Sequence, residues 1–107
     1  MKPANISMLR EDGEYEIFQG WVINEYWAVI DVQSYHTSYP FLIVHYPTGS
    51  ASLFVKNVST AEDVVDILMS IQTDWSNFKP GDELRVTGEQ RDLLIGLERS
   101  GMIGQIS

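Results

Sequence analysis

The sequence predicts an α+β fold: a single two-layer domain, an antiparallel sheet of four or five strands with one main helix packed on a face. Three observations predict it. Residues 41–57 spell out a hairpin, with "FLIVHY" and "ASLFVKN" flanking the turn "PTGS". Runs rich in β-branched and aromatic residues favour strands, and Pro-Thr-Gly-Ser favours the reversal between them. Directly after it, "STAEDVVDILMSIQTDW" repeats Val64, Leu68, Ile71 and Trp75 at helical spacing, with Val65 and Ile67 beside them. The chain has 107 residues, the length of one domain able to bury a core.

Taken in order, residues 1–13 are polar and end in the turn signal "REDG". They read as a loose arm ahead of a domain spanning 14–107. "EYEIFQGWVI" (14–23) reads as a strand, with Gly20 as a bulge. Asn24 and Glu25 make a tight turn into a second strand, "YWAVIDVQ" (26–33), the alternative being a single long, bent strand, and "SYHTSYP" (34–40) is a loop.

In the 41–57 hairpin, pairing Tyr46 with Ala51 puts Leu42, Val44, Tyr46, Ala51, Leu53 and Val55 on one face. Phe41, Ile43, His45, Ser52, Phe54 and Lys56 fall on the other, which is still half apolar. A sheet apolar on both faces needs cover on both. The predicted helix, 59–74, covers only one. Ser59 and Glu62 have capping-box spacing, and Glu62, Asp63 and Asp66 crowd its first turns, where the helix dipole favours acids. "NFKPGDE" (77–83) is a loop and "LRVTG" (84–88) a strand.

Residues 89–107 admit two readings. As a helix over 89–99 the segment sets Leu93, Leu94 and Leu97 on one side, with Gly101 past the end and Met102 making the capping contact. This reading is the favoured one. As a hairpin it runs "LLIGLE", "RSG", "MIGQI". In that form, following "PGDELRV", it resembles the second half of SH3-like small barrels, over less than a third of the chain. The aromatic groove pattern near the start of such domains is missing, so the resemblance assigns no binding residue.

Charge narrows the function. Fifteen acids oppose seven bases, a net charge of −8. Such a chain is repelled by phosphate backbones and anionic membranes, which argues against nucleic acid and lipid surfaces and for a basic protein partner. There is no cysteine, no leader-like apolar run at the start, and no stretch near the ~20 apolar residues that cross a bilayer. The expectation is a soluble, cytoplasmic protein.

Motifs for chemistry fail individually. His36 and His45 are the only histidines and have no paired second ligand at metal-site spacing. Glu62, Asp63 and Asp66 lack the glycine turn and alternating oxygens of a calcium loop. "TGSAS" misses the nucleophile elbow, and "KPGDE" has acids where a phosphate loop needs amides and lysine. No metal, cofactor or catalytic residue is expected, and the protein reads as non-enzymatic.

What stands out is aromatic surface: residues 20–46 hold two of three tryptophans and four of five tyrosines. Interfaces are enriched in both. The leading expectation is a small acidic inhibitor, of immunity or anti-defence type, that occupies a basic, nucleic-acid-binding site on another protein. Its surface would combine Glu62, Asp63 and Asp66, or Glu11, Asp12, Glu14 and Glu16, with Trp27, Tyr35 and Tyr39. One alternative is a small-ligand or peptide module with a groove among Trp21, Tyr26, Trp27 and Tyr46. Another is a homodimeric accessory subunit joined through the spare sheet face.

Overall fold

In the computed structural model, which describes residues 2–33, 38–72, 74–79 and 88–104, five strands run as an antiparallel meander. They are β1 (Lys2–Leu9), β2 (Tyr15–Val22), β3 (Trp27–Asp31), β4 (Phe41–His45) and β5 (Ser50–Val55), each paired with the next. Two helices follow, α1 (Val58–Ile71) and α2 (Glu89–Arg99), completing the α+β domain. Residues 84–87 of the strand expected over 84–88, and residues 80–83 of the loop before it, lie outside the described residues, and Gly88 is the N-cap of α2.

The N-terminus corrects the sequence reading. The segment expected to be a loose arm forms β1, and it pairs with β2 from Lys2 opposite Val22 to Leu9 opposite Tyr15. Ile6 is fully buried, so this strand is held by packing as well as by its ladder. The turn at Asn24 is as expected: its side-chain oxygen accepts from the backbone N–H of Tyr26 (2.8 Å) and of Trp27 (2.9 Å), an Asx turn.

Gly20 is not a bulge. It pairs regularly with Ala4 on one side and Ile30 on the other. A Cβ there would overlap the Val29 carbonyl oxygen and stand 2.9 Å from Ile30 Cα. Glycine therefore lets β2 press onto β3 and the sheet roll. The roll brings β1 toward the far edge, where the Leu9 N–H donates to the Gly49 carbonyl at 2.8 Å. Gly49 is also required: its φ is +74°, and a Cβ would sit 2.8 Å from the Ser7 carbonyl oxygen.

Rolling creates two cores. The inner one packs Ile6 and Phe18 of the first hairpin against Ala28, Ile30, Val32, Leu42 and Val44. The second apolar face thus finds its cover within the chain, which removes the reason for expecting a second copy there. The outer core packs Trp27, Val29, Ile43, Leu53 and Val55 under Ala61, Val64, Val65 and Leu68 of α1, with Leu94 of α2.

The 41–57 register also differs from the sequence expectation. His45 pairs with Ser50, Val44 with Ala51 and Leu42 with Phe54, so a bulge adds one residue to β5. Leu53 and Val55 therefore turn toward α1 with Ile43, while Phe54 joins Leu42 and Val44 inside.

Helix α1 begins one residue earlier than expected and ends three earlier. Its cap is Asn57, not Ser59: the Asn57 side chain accepts from Thr60 N–H at 2.8 Å and from the Thr60 hydroxyl at 2.9 Å. Trp75 is therefore not helical, but it still reaches the outer core from the following loop.

The favoured reading of the C-terminal segment holds, and the SH3-like hairpin is replaced by α2. That helix closes in a Schellman motif: Gly101, at φ +78°, donates to Glu98 and Met102 donates to Leu97, both at 3.0 Å. Leu94 is buried but Leu93 is exposed, so the three expected leucines do not share one packed face. Past α2 the chain returns to the edge of β5, where Ile103 bridges Val55 and the amides of Lys56 and Gly104 donate to Met102 and Phe54 carbonyls.

Candidate functional site

Trp27 is the largest fully buried side chain of the protein. It cannot touch a partner, which corrects its expected place in a binding surface and removes the centre of the expected Trp21–Tyr26–Trp27–Tyr46 groove. It stands instead in an aromatic box, edge-on to His45 (5.3 Å between centroids) and Trp75 (5.1 Å), with Phe78 closing the box 5.0 Å from His45. The Trp27 Nε1–H is buried and finds no acceptor among the described residues.

His45 ties this box together. Its Nε2 lies 2.9 Å from the Trp75 carbonyl oxygen, which can only accept, so Nε2 carries the proton. Nδ1, 2.8 Å from Thr48 Oγ1, then accepts from that hydroxyl, and the hydroxyl oxygen in turn accepts from Ser50 N–H at 3.2 Å. Burial pushes the His45 pKa down, opposed by the bond to the Trp75 carbonyl. A neutral, doubly bonded, buried imidazole that pins a turn to the loop after α1 is structural.

Tyr26 and Asp74 meet at the surface end of the same loop, with the phenol 3.3 Å from a carboxylate oxygen. Burial, then the nearby charges of Glu25 and Asp74, push the phenol pKa up. Hydrogen bonds from Ser76 hold the Asp74 carboxyl below its usual range.

The remaining sequence candidates divide. Tyr39 is half-buried, its ring 3.9 Å from where a Cβ at Gly104 would stand. Tyr35 lies outside the described residues. Glu62, Asp63 and Asp66 are exposed on α1, and no large apolar side chain of that helix is exposed beside them. Glu11, Asp12 and Glu14 are exposed around the β1–β2 turn. Glu16 differs, because it lies on the inner side of β2 with its carboxylate 3.6 Å from Arg10 Nη1. Asp12 reaches the other guanidinium nitrogen at the same distance and also accepts from Glu14 N–H.

The residues that sequence reasoning missed are Tyr15 and Ile17. Both face outward from β2 and are 58% and 67% exposed, among the most exposed large apolar side chains. The Tyr15 hydroxyl donates to the Thr48 carbonyl at 3.3 Å, joining the hairpin to the turn that begins with exposed Tyr46. The exposed acids Glu11, Asp12 and Glu14 thus stand in the turn that leads into the exposed apolar residues Tyr15 and Ile17 of β2. Alternation in "EYEIF" shows that Tyr15 and Ile17 share a side. Which side faces water was hidden, because the acids mark the opposite face as the wet one.

Beside the inner core, an open pocket of about 350 Å³ is lined by Met8, Phe18, Val32, Leu42 and Phe54 together with Arg10 and Glu16. Among the described residues, no three His, Asp or Glu side chains gather as metal ligands, and no helix is long and apolar enough to cross a membrane.

No family model, no curated protein and no solved structure matches this chain.

Proposed function

We propose that this protein is a non-enzymatic binding protein whose β1–β2 hairpin docks on a basic surface of another protein. One observation carries the reading: Tyr15 and Ile17, more than half exposed, stand on the same hairpin as the exposed acids Glu11, Asp12 and Glu14. An apolar anchor inside a charged rim is the usual anatomy of a protein interface. Helix α1 supplies charge without an anchor and takes a secondary, steering part. A net charge of −8 points to a basic partner, and the target class this serves is a nucleic-acid-binding enzyme whose basic site the hairpin would block. Inhibition of the immunity or anti-defence kind is the form of this proposal that size and charge favour.

The test is retention of proteins from source lysate on the tagged chain at moderate salt, with two variants run beside it. One basic protein should be retained by the native chain. It should be lost by Tyr15→Ala with Ile17→Ala and by Glu11→Lys with Glu14→Lys, both variants keeping the native fold. Retention that survives both variants, or no retained protein at all, overturns the proposal.

A further inference from the structure

The turn between β4 and β5 ties distant parts of the chain together, and His45 holds it from inside. The Thr48 hydroxyl donates to His45 Nδ1 at 2.8 Å and accepts from Ser50 N–H at 3.2 Å. The Thr48 carbonyl accepts from the Tyr15 hydroxyl at 3.3 Å, and the Gly49 carbonyl accepts from Leu9 N–H at 2.8 Å. The Tyr15 ring lies over Gly49, its Cε1 3.0 Å from where a Cβ would stand. We infer that His45 is a proton-operated latch: neutral, it shuts this turn onto the Tyr15 end of the β1–β2 hairpin, and charged, it releases it. The latch goes beyond the docking reading, while its control of docking rests on that reading.

Donor counting gives the direction. Only a neutral imidazole has an acceptor nitrogen. Nε2–H already serves the Trp75 carbonyl at 2.9 Å, so an added proton goes to Nδ1 and turns it into a second donor. Thr48 must then turn its own hydroxyl proton away, leaving Oγ1 to accept from both Nδ1–H and Ser50 N–H.

The charge also lacks compensation. The ring is fully buried against the rings of Trp27 from β3 and Phe78 from the loop after α1. Trp75 gives it a carbonyl and the turn gives it a hydroxyl, both neutral, and no charged side chain among the described residues acts on it. A buried, unpaired charge is driven toward water. The way out is past Thr48, half-buried beside exposed Tyr46 and Pro47, because Trp75 on the other side is buried. That movement displaces the turn, and Tyr15 loses its Thr48 bond and its seat on Gly49. Burial disfavours the charged ring, so the latch is shut at neutral pH and opens as the pH falls below the ordinary histidine value of about 6.5.

The test is amide hydrogen exchange of the full chain between pH 7.5 and 5, followed by NMR and corrected for the intrinsic chemistry of exchange, beside a titration of the His45 ring nitrogens. Exchange at Leu9, Gly49 and Ser50, whose N–H groups close the turn, should quicken by up to about tenfold per pH unit as His45 charges. It should stay well ahead of Ile30 and Val44, which marks the opening as local. The nuclear Overhauser contact between Tyr15 and Thr48 should fade along the same curve. His45→Gln should remove the pH dependence. Thr48→Val, which keeps the shape and removes the hydroxyl, should quicken Ser50 exchange already at pH 7.5. Turn exchange that ignores the His45 titration, persists unchanged in His45→Gln, or rises only at the rate of Ile30 and Val44 would overturn the latch. Retention of a basic partner should be lost by the native chain at pH 5 and kept by His45→Gln. Equal retention by the native chain at both pH values overturns control of docking. No partner at either pH, with the exchange as described, overturns the docking reading and supports the latch alone.

Discussion

His45 shows how one residue sets a pH response. Folding holds its imidazole neutral, so its pKa in the native state lies below the ordinary value of about 6.5. The unfolded chain takes up that proton first. Its contribution to stability is whole above pH ~6.5 and is lost as the pH falls from there through the lowered native value. Denaturant midpoints measured between pH 7.5 and 5 should fall with pH, and His45→Gln should flatten that part of the profile. Asp74, held low by Ser76, acts in a separate window, with its contribution present above pH ~4 and lost only below it. At Gly20 the constraint is steric. Gly20→Ala drives a methyl group into the β3 backbone, and should cost about 3 kcal/mol or more in a denaturation experiment. Neither residue announced its role in the sequence. His45 read only as a strand residue on one sheet face and Gly20 as a bulge, since what decides each is the neighbour across the sheet.

At the scale of elements, local chemistry was readable where the partner groups are close in sequence. The C-terminus of α2 is such a case: Gly101 and Met102 stand at the spacing that a Schellman closure needs, and both bonds form. Gly101→Ala must place a Cβ at φ +78° and should cost ~1–2 kcal/mol, read by thermal unfolding. The start of α1 was misread because Asn57 and Ser59 both suit a cap. Asn57 wins, since its oxygen satisfies both the amide and the hydroxyl of Thr60. Asn57→Ala should lower stability by about 1 kcal/mol, while Ser59→Ala, at an exposed position, should change it little. The 41–57 hairpin was recognised but its register was not. A bulge inserts one residue into β5, and period-2 alternation carries no mark of an insertion.

For the molecule as a whole, charge and anchor should separate kinetically once a partner is in hand. Glu11→Lys with Glu14→Lys should mainly lower the association rate and weaken its salt dependence. Tyr15→Ala should mainly raise the dissociation rate, by about tenfold for a central aromatic. Surface plasmon resonance at two ionic strengths distinguishes them, and equal effects on both rates from either variant would contradict the division. The rolled sheet underlies all of this. It buries Trp27, the tryptophan expected at the binding surface, and it turns Tyr15 and Ile17, which drew no attention in the sequence, out to solvent.

By itself the sequence determined the α+β class, the hairpin at 41–57, the helix that follows, the favoured C-terminal helix and a strongly acidic surface. Each depends on periodicity, on caps within a few residues or on summed charge. Only the tertiary structure decided that residues 2–9 are a strand, that the sheet's second face is covered by its own first hairpin, and which aromatic side chains are wet. Those depend on where distant strands meet after the sheet rolls at Gly20, and no local pattern encodes an approach between backbones so far apart along the chain.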